Sequence, residues 1–130
     1  MTATQILVVD DNPLSRKLLN DMLGAEGYSV RNAASGFEAL SAIAEERPDL
    51  VLLDIMMPGM DGFEVVRRLN ADQATRIPPI IMVTALDDEG SRARLAAAGI
   101  NVMLTKPVDR WELRSLLSRI LSDSAEKSHE

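Results

Sequence analysis

Cysteine is absent from the 130 residues, so no disulfide and no thiolate metal site can form; a reducing compartment fits that absence. Long apolar runs are missing too. The longest aliphatic stretches are near four residues, against roughly 18 for a membrane span. The N-terminus, Met1-Thr2-Ala3-Thr4-Gln5, has neither a basic region nor an apolar segment, and a cytoplasmic protein without membrane contact is the expectation. Positive charge is in deficit: 14 Lys and Arg face 20 Asp and Glu, for a formal net charge of −6. Duplex binding needs clustered basic residues, so no direct nucleic-acid surface is expected. The chain shows no internal repeat and no linker, and its length suits one domain with a real core.

What is present is ordinary for a soluble globular protein, with 46% apolar and 26% charged residues. One stretch organises the rest: Leu50-Val51-Leu52-Leu53-Asp54-Ile55-Met56-Met57-Pro58-Gly59. Four aliphatic residues lead into a carboxylate and then a Pro-Gly turn. A short run, apolar on both faces and bounded by breakers, reads as a central strand of a parallel sheet. Asp54 then lies at the strand's carboxyl end, where open α/β sheets bind ligands.

Taken in order, Ile6–Val9 forms a first buried strand ended by Asp10 and Asp11. Asn12 caps a helix with Pro13 at its first position. Leu14, Leu18, Leu19, Met22 and Leu23 fall at helical spacing, and Gly24 or Gly27 ends the helix. Tyr28 to Asn32 is a weaker strand, nearer an edge. Ser35 caps a second helix through Phe37, Leu40, Ala42 and Ile43. Asp61 caps a third, with Val65, Val66 and Leu69 on one face and Arg67 and Arg68 on the other. Pro79–Val83 forms a fourth strand ending at Thr84. Asp87 or Asp88 opens an Ala-rich fourth helix that few large side chains anchor, and Gly99 stops it. Val102–Leu104 is a short fifth strand before Thr105-Lys106-Pro107. Asp109 caps a last helix with a stripe of Leu113, Leu116, Leu117, Ile120 and Leu121. Five alternations with short connections predict a parallel sheet covered by helices on both faces.

Asp10 and Asp11 end the first strand, Asp54 the third, Thr84 the fourth and Lys106 the fifth, so all share one sheet edge. If strands one and three are neighbours, three carboxylates meet. Two like charges 4 Å apart repel by about 4 kcal/mol at an effective dielectric near 20. Such a cluster persists with raised pKa values or with a bound divalent cation. Oxygen donors alone favour a hard ion, Mg²⁺, for which Mn²⁺ could substitute. Mg²⁺ completes its shell with water and phosphate, so the pocket suits a phosphoryl group. Asp54 can attack as a carboxylate and form an acyl phosphate; Lys106 offers a charge and Thr84 a hydroxyl to the phosphoryl oxygens.

The acidic pair after strand one, "LLDIMMPGMDG", "VTA" after strand four and "TKP" after strand five together resemble the receiver domains of two-component response regulators, the CheY-like family, from about Gln5 to Leu121. The resemblance implies a flavodoxin-like (βα)5 sandwich with a five-stranded parallel sheet of order 2-1-3-4-5. It implies that Asp54 is the phosphoacceptor, and that Asp11 binds magnesium directly while Asp10 does so through water. Met56 matches the carbonyl ligand, and Thr84 and Lys106 the two phosphoryl-sensing side chains. The Lys106–Pro107 bond matches a cis peptide that would aim the lysine inward. Three residues before the lysine, receivers often carry Tyr or Phe as a switch; here the position is Met103, whose flexible thioether can repack in the same space. Met56 and Leu86 stand where receivers tune loss of the phosphoryl group, and neither can position water, so a long-lived phosphorylated state is expected. Implied partners are a sensor histidine kinase or histidine phosphotransfer protein and a downstream effector or output domain. A homodimer through the fourth helix, fifth strand and last helix is a further expectation. The only catalysis expected is the domain's own phosphorylation and dephosphorylation.

Residues 1–121 are expected to form the receiver domain and 122–130 a polar, disordered tail, so the chain either stands alone or is part of a longer protein. Trp111, off the last helix's stripe, suits an interface, whereas His129 in the tail is read as nonfunctional. Taken singly, Asp10 and Asp11 are more often loop acids, Thr84 a local hydroxyl and Lys106 a solvated charge; only their convergence changes that. Asp10-Asp11-Asn12 breaks the Asp-x-Asp spacing of haloacid-dehalogenase phosphatases, and an Asp-Asp-Asn-Pro loop repels the phosphate that a flavodoxin cradles. The remaining rival is a phosphorylation-independent protein-binding module on the same fold.

Overall fold

A computed structural model describes residues 3–72, 76–85, 89–100 and 102–128, with side chains described as far as Ser122. Strands and helices alternate: β1 (Gln5–Val9), α1 (Pro13–Ala25), β2 (Ser29–Ala33), α2 (Gly36–Glu45), β3 (Leu50–Asp54), α3 (Gly62–Ala71), β4 (Ile80–Thr84), α4 (Glu89–Ala97), β5 (Met103–Thr105) and α5 (Arg110–Ser128). The five strands are parallel in the order β2-β1-β3-β4-β5, the flavodoxin-like arrangement expected. Every residue of β3 and β4 is buried, which explains why these runs are apolar without alternation. β2 lies at an edge and stays partly exposed, as its polar Arg31 and Asn32 require.

Alternate strand residues point to opposite faces and build two cores. Leu7, Val9, Val51, Leu53 and Met82 pack with α2 and α3; Ile6, Val8, Leu50, Leu52, Ile81 and Val83 pack with α1 and α5. The caps anticipated from the sequence form. Asn12 Oδ1 accepts from the Leu14 and Ser15 amides, Ser35 from Glu38, Asp61 from Glu64 and Asp109 from Glu112. Gly27 and Gly99 take the left-handed conformation just beyond α1 and α4.

Leu14 and Leu18 share the helical spacing of α1 but are exposed, whereas Leu19 and Leu23 are buried. Phe37 likewise stays exposed in the first turn of α2. The backbone of α5 runs from Arg110 to Ser128, and Ser122 to Lys127 contains neither Gly nor Pro. The residues expected to open α4, Asp87 and Asp88, lie outside the described residues, as do Leu86 and His129. Among the described residues, no helix is long and apolar enough to cross a membrane.

Candidate functional site

The strand order makes β1 and β3 direct neighbours, with Val9 opposite Leu53. The residues that follow, Asp10 and Asp54, therefore emerge side by side at the carboxyl edge. One carboxylate oxygen each from Asp10, Asp11 and Asp54 lies within 4.8 Å of the others. Asp10 and Asp54 are buried, at 1% and 5% exposure, while Asp11 is exposed. Such burial of two acids demands compensation. Lys106 supplies it: its Nζ donates to Asp10 Oδ2 at 2.9 Å and to Asp54 Oδ2 at 3.3 Å.

Backbone groups fix the remaining acceptor atoms. Asp10 Oδ1 accepts the Asn12 amide at 2.9 Å, and Asp54 Oδ1 accepts the Met56 amide at 3.2 Å. From α1, Arg16 reaches back to donate to the Asp10 carbonyl at 2.6 Å. On the opposite side, the Lys106 amide donates to the Thr84 carbonyl at 2.8 Å, tying the end of β5 to the end of β4. Thr84 itself is fully buried at that edge. The Lys106–Pro107 peptide is cis.

Gly62 allows α3 to start against the site. An added Cβ there would stand 2.6 Å from the Asp54 carbonyl oxygen and 2.9 Å from Ile55 Cα. The Gly62 amide meanwhile donates to the Ile55 carbonyl at 2.9 Å. A side chain at this position would push the helix away from the strand that carries the acid.

The electrostatics follow from one cation shared among several anions. Burial, above all, pushes the Asp54 carboxyl above its ordinary value, and the neighbouring Asp10 charge adds to the rise. Lys106 and the Met56 amide pull the other way without cancelling it. For Lys106, burial works against the charged form, but its bonds and charges with Asp10 and Asp54 outweigh that and raise its pKa. The lysine is thus well satisfied, whereas Asp54 remains short of positive charge. An oxygen-only donor set with uncompensated negative charge fits a hard divalent ion.

The structure brings Asp10, Asp11, Asp54, Thr84 and Lys106 to one edge, as their positions in the sequence predicted. Met56 follows directly, its side chain exposed. Met103 is half-buried against the α2–α3 core. Pro107 lines a groove of about 460 Å³ with Leu18, Leu19, Met22 and Val108. Trp111 stands apart on α5, 66% exposed, with the Arg114 guanidinium 5.8 Å from its ring. Sequence reasoning missed Arg16; its spacing from Asn12 on α1 was the available signal, since one helical turn returns a long side chain to the N-terminus.

A parallel sheet of this order with acids at the β1–β3 switch point defines a class of signalling domain, and comparison with known proteins agrees. The family profile "Response regulator receiver domain" matches residues 6–118. The response regulator PleD of Caulobacter vibrioides is 47% identical over 107 residues, covering 82% of this chain and 24% of that protein. The chain thus spans about a quarter of the length of that relative. Protein PilH of Pseudomonas aeruginosa is 37% identical over 118 residues, covering 91% of this chain and 98% of PilH. Among solved structures, the receiver domain of a sensor histidine kinase from Pseudomonas aeruginosa is 35% identical with a TM-score of 0.84, covering 93% of this chain and 99% of that one. That structure holds a magnesium ion coordinated in its active-site cleft. The chain belongs to the response regulator receiver family.

Proposed function

We propose that the domain is a phosphorylation-controlled switch in which Asp54 accepts a phosphoryl group from a phosphohistidine protein. The observation that carries this is the convergence of Asp10, Asp11 and Asp54 within 4.8 Å, with Lys106 bridging two of them. A carboxylate oxygen of Asp54 attacks the phosphorus in line. The phosphorus–nitrogen bond to the donor histidine breaks, and the phosphoryl group stays on Asp54 as an acyl phosphate. Asp10, Asp11, Asp54 and the Met56 carbonyl would hold Mg²⁺, or Mn²⁺ in its place, which when bound offsets charge on the phosphoryl oxygens. Lys106 then exchanges a carboxylate for a phosphoryl oxygen, and the Thr84 hydroxyl turns toward the same group. Met103, half-buried against the core on the α2–α3 side of the sheet, takes the place of the aromatic switch.

The donor, a sensor histidine kinase or phosphotransfer protein, has an apolar landing surface beside the site. Leu14 and Leu18 are exposed on α1, and Leu18 joins Pro107 and Val108 along the adjacent groove. On the output side, α4, β5 and α5 with the exposed Trp111 form the face for an effector, an output domain or a second copy of the chain. A cytoplasmic location accords with this chemistry.

The test is intact-mass measurement after incubation with a small acyl-phosphate donor and Mg²⁺. Wild type should gain the mass of one phosphoryl group, and Asp54→Asn should gain none. An unmodified wild type would instead favour a passive binding module.

A further inference from the structure

The chain has only two phenylalanines, and both line the same groove, about 450 Å³ in volume, between α2, the β3–α3 loop, α3 and α4. Arg67, Arg68 and Arg94 line it with them. The Arg94 guanidinium lies 3.9 Å from the Phe63 ring centroid, and that of Arg68 lies 5.9 Å from the Phe37 centroid. Phe37 is 57% exposed. On a chain of net charge −6, three guanidiniums in one groove invert the local sign.

The two carboxylates of the groove are already engaged. Asp61 Oδ1 accepts the Glu64 amide as a helix cap. Glu64 is shared by Arg67 at 2.6 and 2.8 Å and by Arg68 at 3.0 Å. Among the described residues, no carboxylate pairs with Arg94, which reaches over from α4. Arginine and aromatic side chains together are the composition of interface hot spots. Guanidiniums held over rings have also lost part of the freedom that binding would otherwise cost.

We infer that this groove docks an acidic segment of a partner protein, whose carboxylates engage Arg94 and the outer edges of Arg67 and Arg68 while an apolar side chain covers Phe37. Charge complementarity sets the choice of occupant. A symmetric pairing of two copies through this groove would set like charges against each other. The inference does not depend on phosphoryl transfer, since no groove residue belongs to the acidic site.

The test titrates ¹⁵N-labelled protein with a fluorescein-labelled peptide of Glu, Leu and Gly, and with its Lys-for-Glu counterpart. The acidic peptide should shift the amides of Phe37, Phe63, Arg67 and Arg94, and weaken as salt rises. Arg94→Glu and Phe37→Ala, both at exposed side chains, should each weaken binding roughly tenfold or more. Four outcomes overturn the inference: no shifts at these residues, equal binding of the lysine peptide, tighter binding of ATP at the same amides, or a dimer in sedimentation that Arg94→Glu dissolves.

Discussion

The carboxyl edge of the sheet and helix α4 are built to different standards. At the edge, β3 and β4 are buried along their whole length, and Asp10 and Asp54 are each held by a backbone amide and by Lys106. In α4, Leu95 is the single buried residue. Dense burial fixes Asp10 and Asp54 with the precision that the proposed in-line transfer requires. A helix tied down by one leucine and the Arg94–Phe63 contact opens or shifts at low cost. Positioning and movement are thus assigned to separate parts of the molecule.

The contrast is broken most forcefully in the core. Leu52→Ala should cost about 2–5 kcal/mol in urea unfolding, because it empties a site closed on every side. Leu95→Ala should cost less and should speed hydrogen exchange in α4 while leaving β3 protected; an equal loss of stability would erase the distinction. Gly62→Ala comes next, at about 1–3 kcal/mol, since its Cβ would meet backbone rather than a yielding side chain. The phosphoryl gain on Asp54 should fall with it, read by mass.

Asp54→Asn should act in the opposite direction and raise Tm. The folded-state pKa of Asp54 is raised, chiefly by burial. Below its ordinary pKa the acid is protonated in both states and costs nothing. As pH rises through the raised folded value, the native state must release a proton it would keep, and stability falls. The advantage of Asn should therefore appear toward neutral pH and vanish in acid. The smallest effect belongs to Glu64, half-exposed on α3, whose pKa Arg67 and Arg68 lower to about 2 through their hydrogen bonds. Its contribution is present above the ordinary carboxylate value and fades as pH drops toward 2, so Glu64→Gln should flatten that acid limb slightly.

The fold and the acidic edge were legible because local signals agreed with the global arrangement. Asn12, Ser35, Asp61 and Asp109 announced helix starts, and unbroken aliphatic runs announced strands buried on both faces. Exposure was harder to read. Leu14, Leu18 and Phe37 obey helical spacing as well as their buried neighbours do, and only the finite footprint of the sheet leaves them uncovered. Also beyond reach was the pairing of long cations. Arg94 over Phe63 depends on how α4 packs against α3, which no periodicity encodes.

The ammonium group spanning Asp10 and Asp54 has one more consequence. It already spends its charge on two of the three clustered acids, so a divalent ion held by Asp10, Asp11 and Asp54 would have to compete with it. Affinity then reflects a difference between two cations rather than the pull of the acids alone. Under the proposed phosphoryl transfer, a lysine released from these carboxylates would stand within reach of the group on Asp54, so that loading the pocket and reading its state would be a single motion.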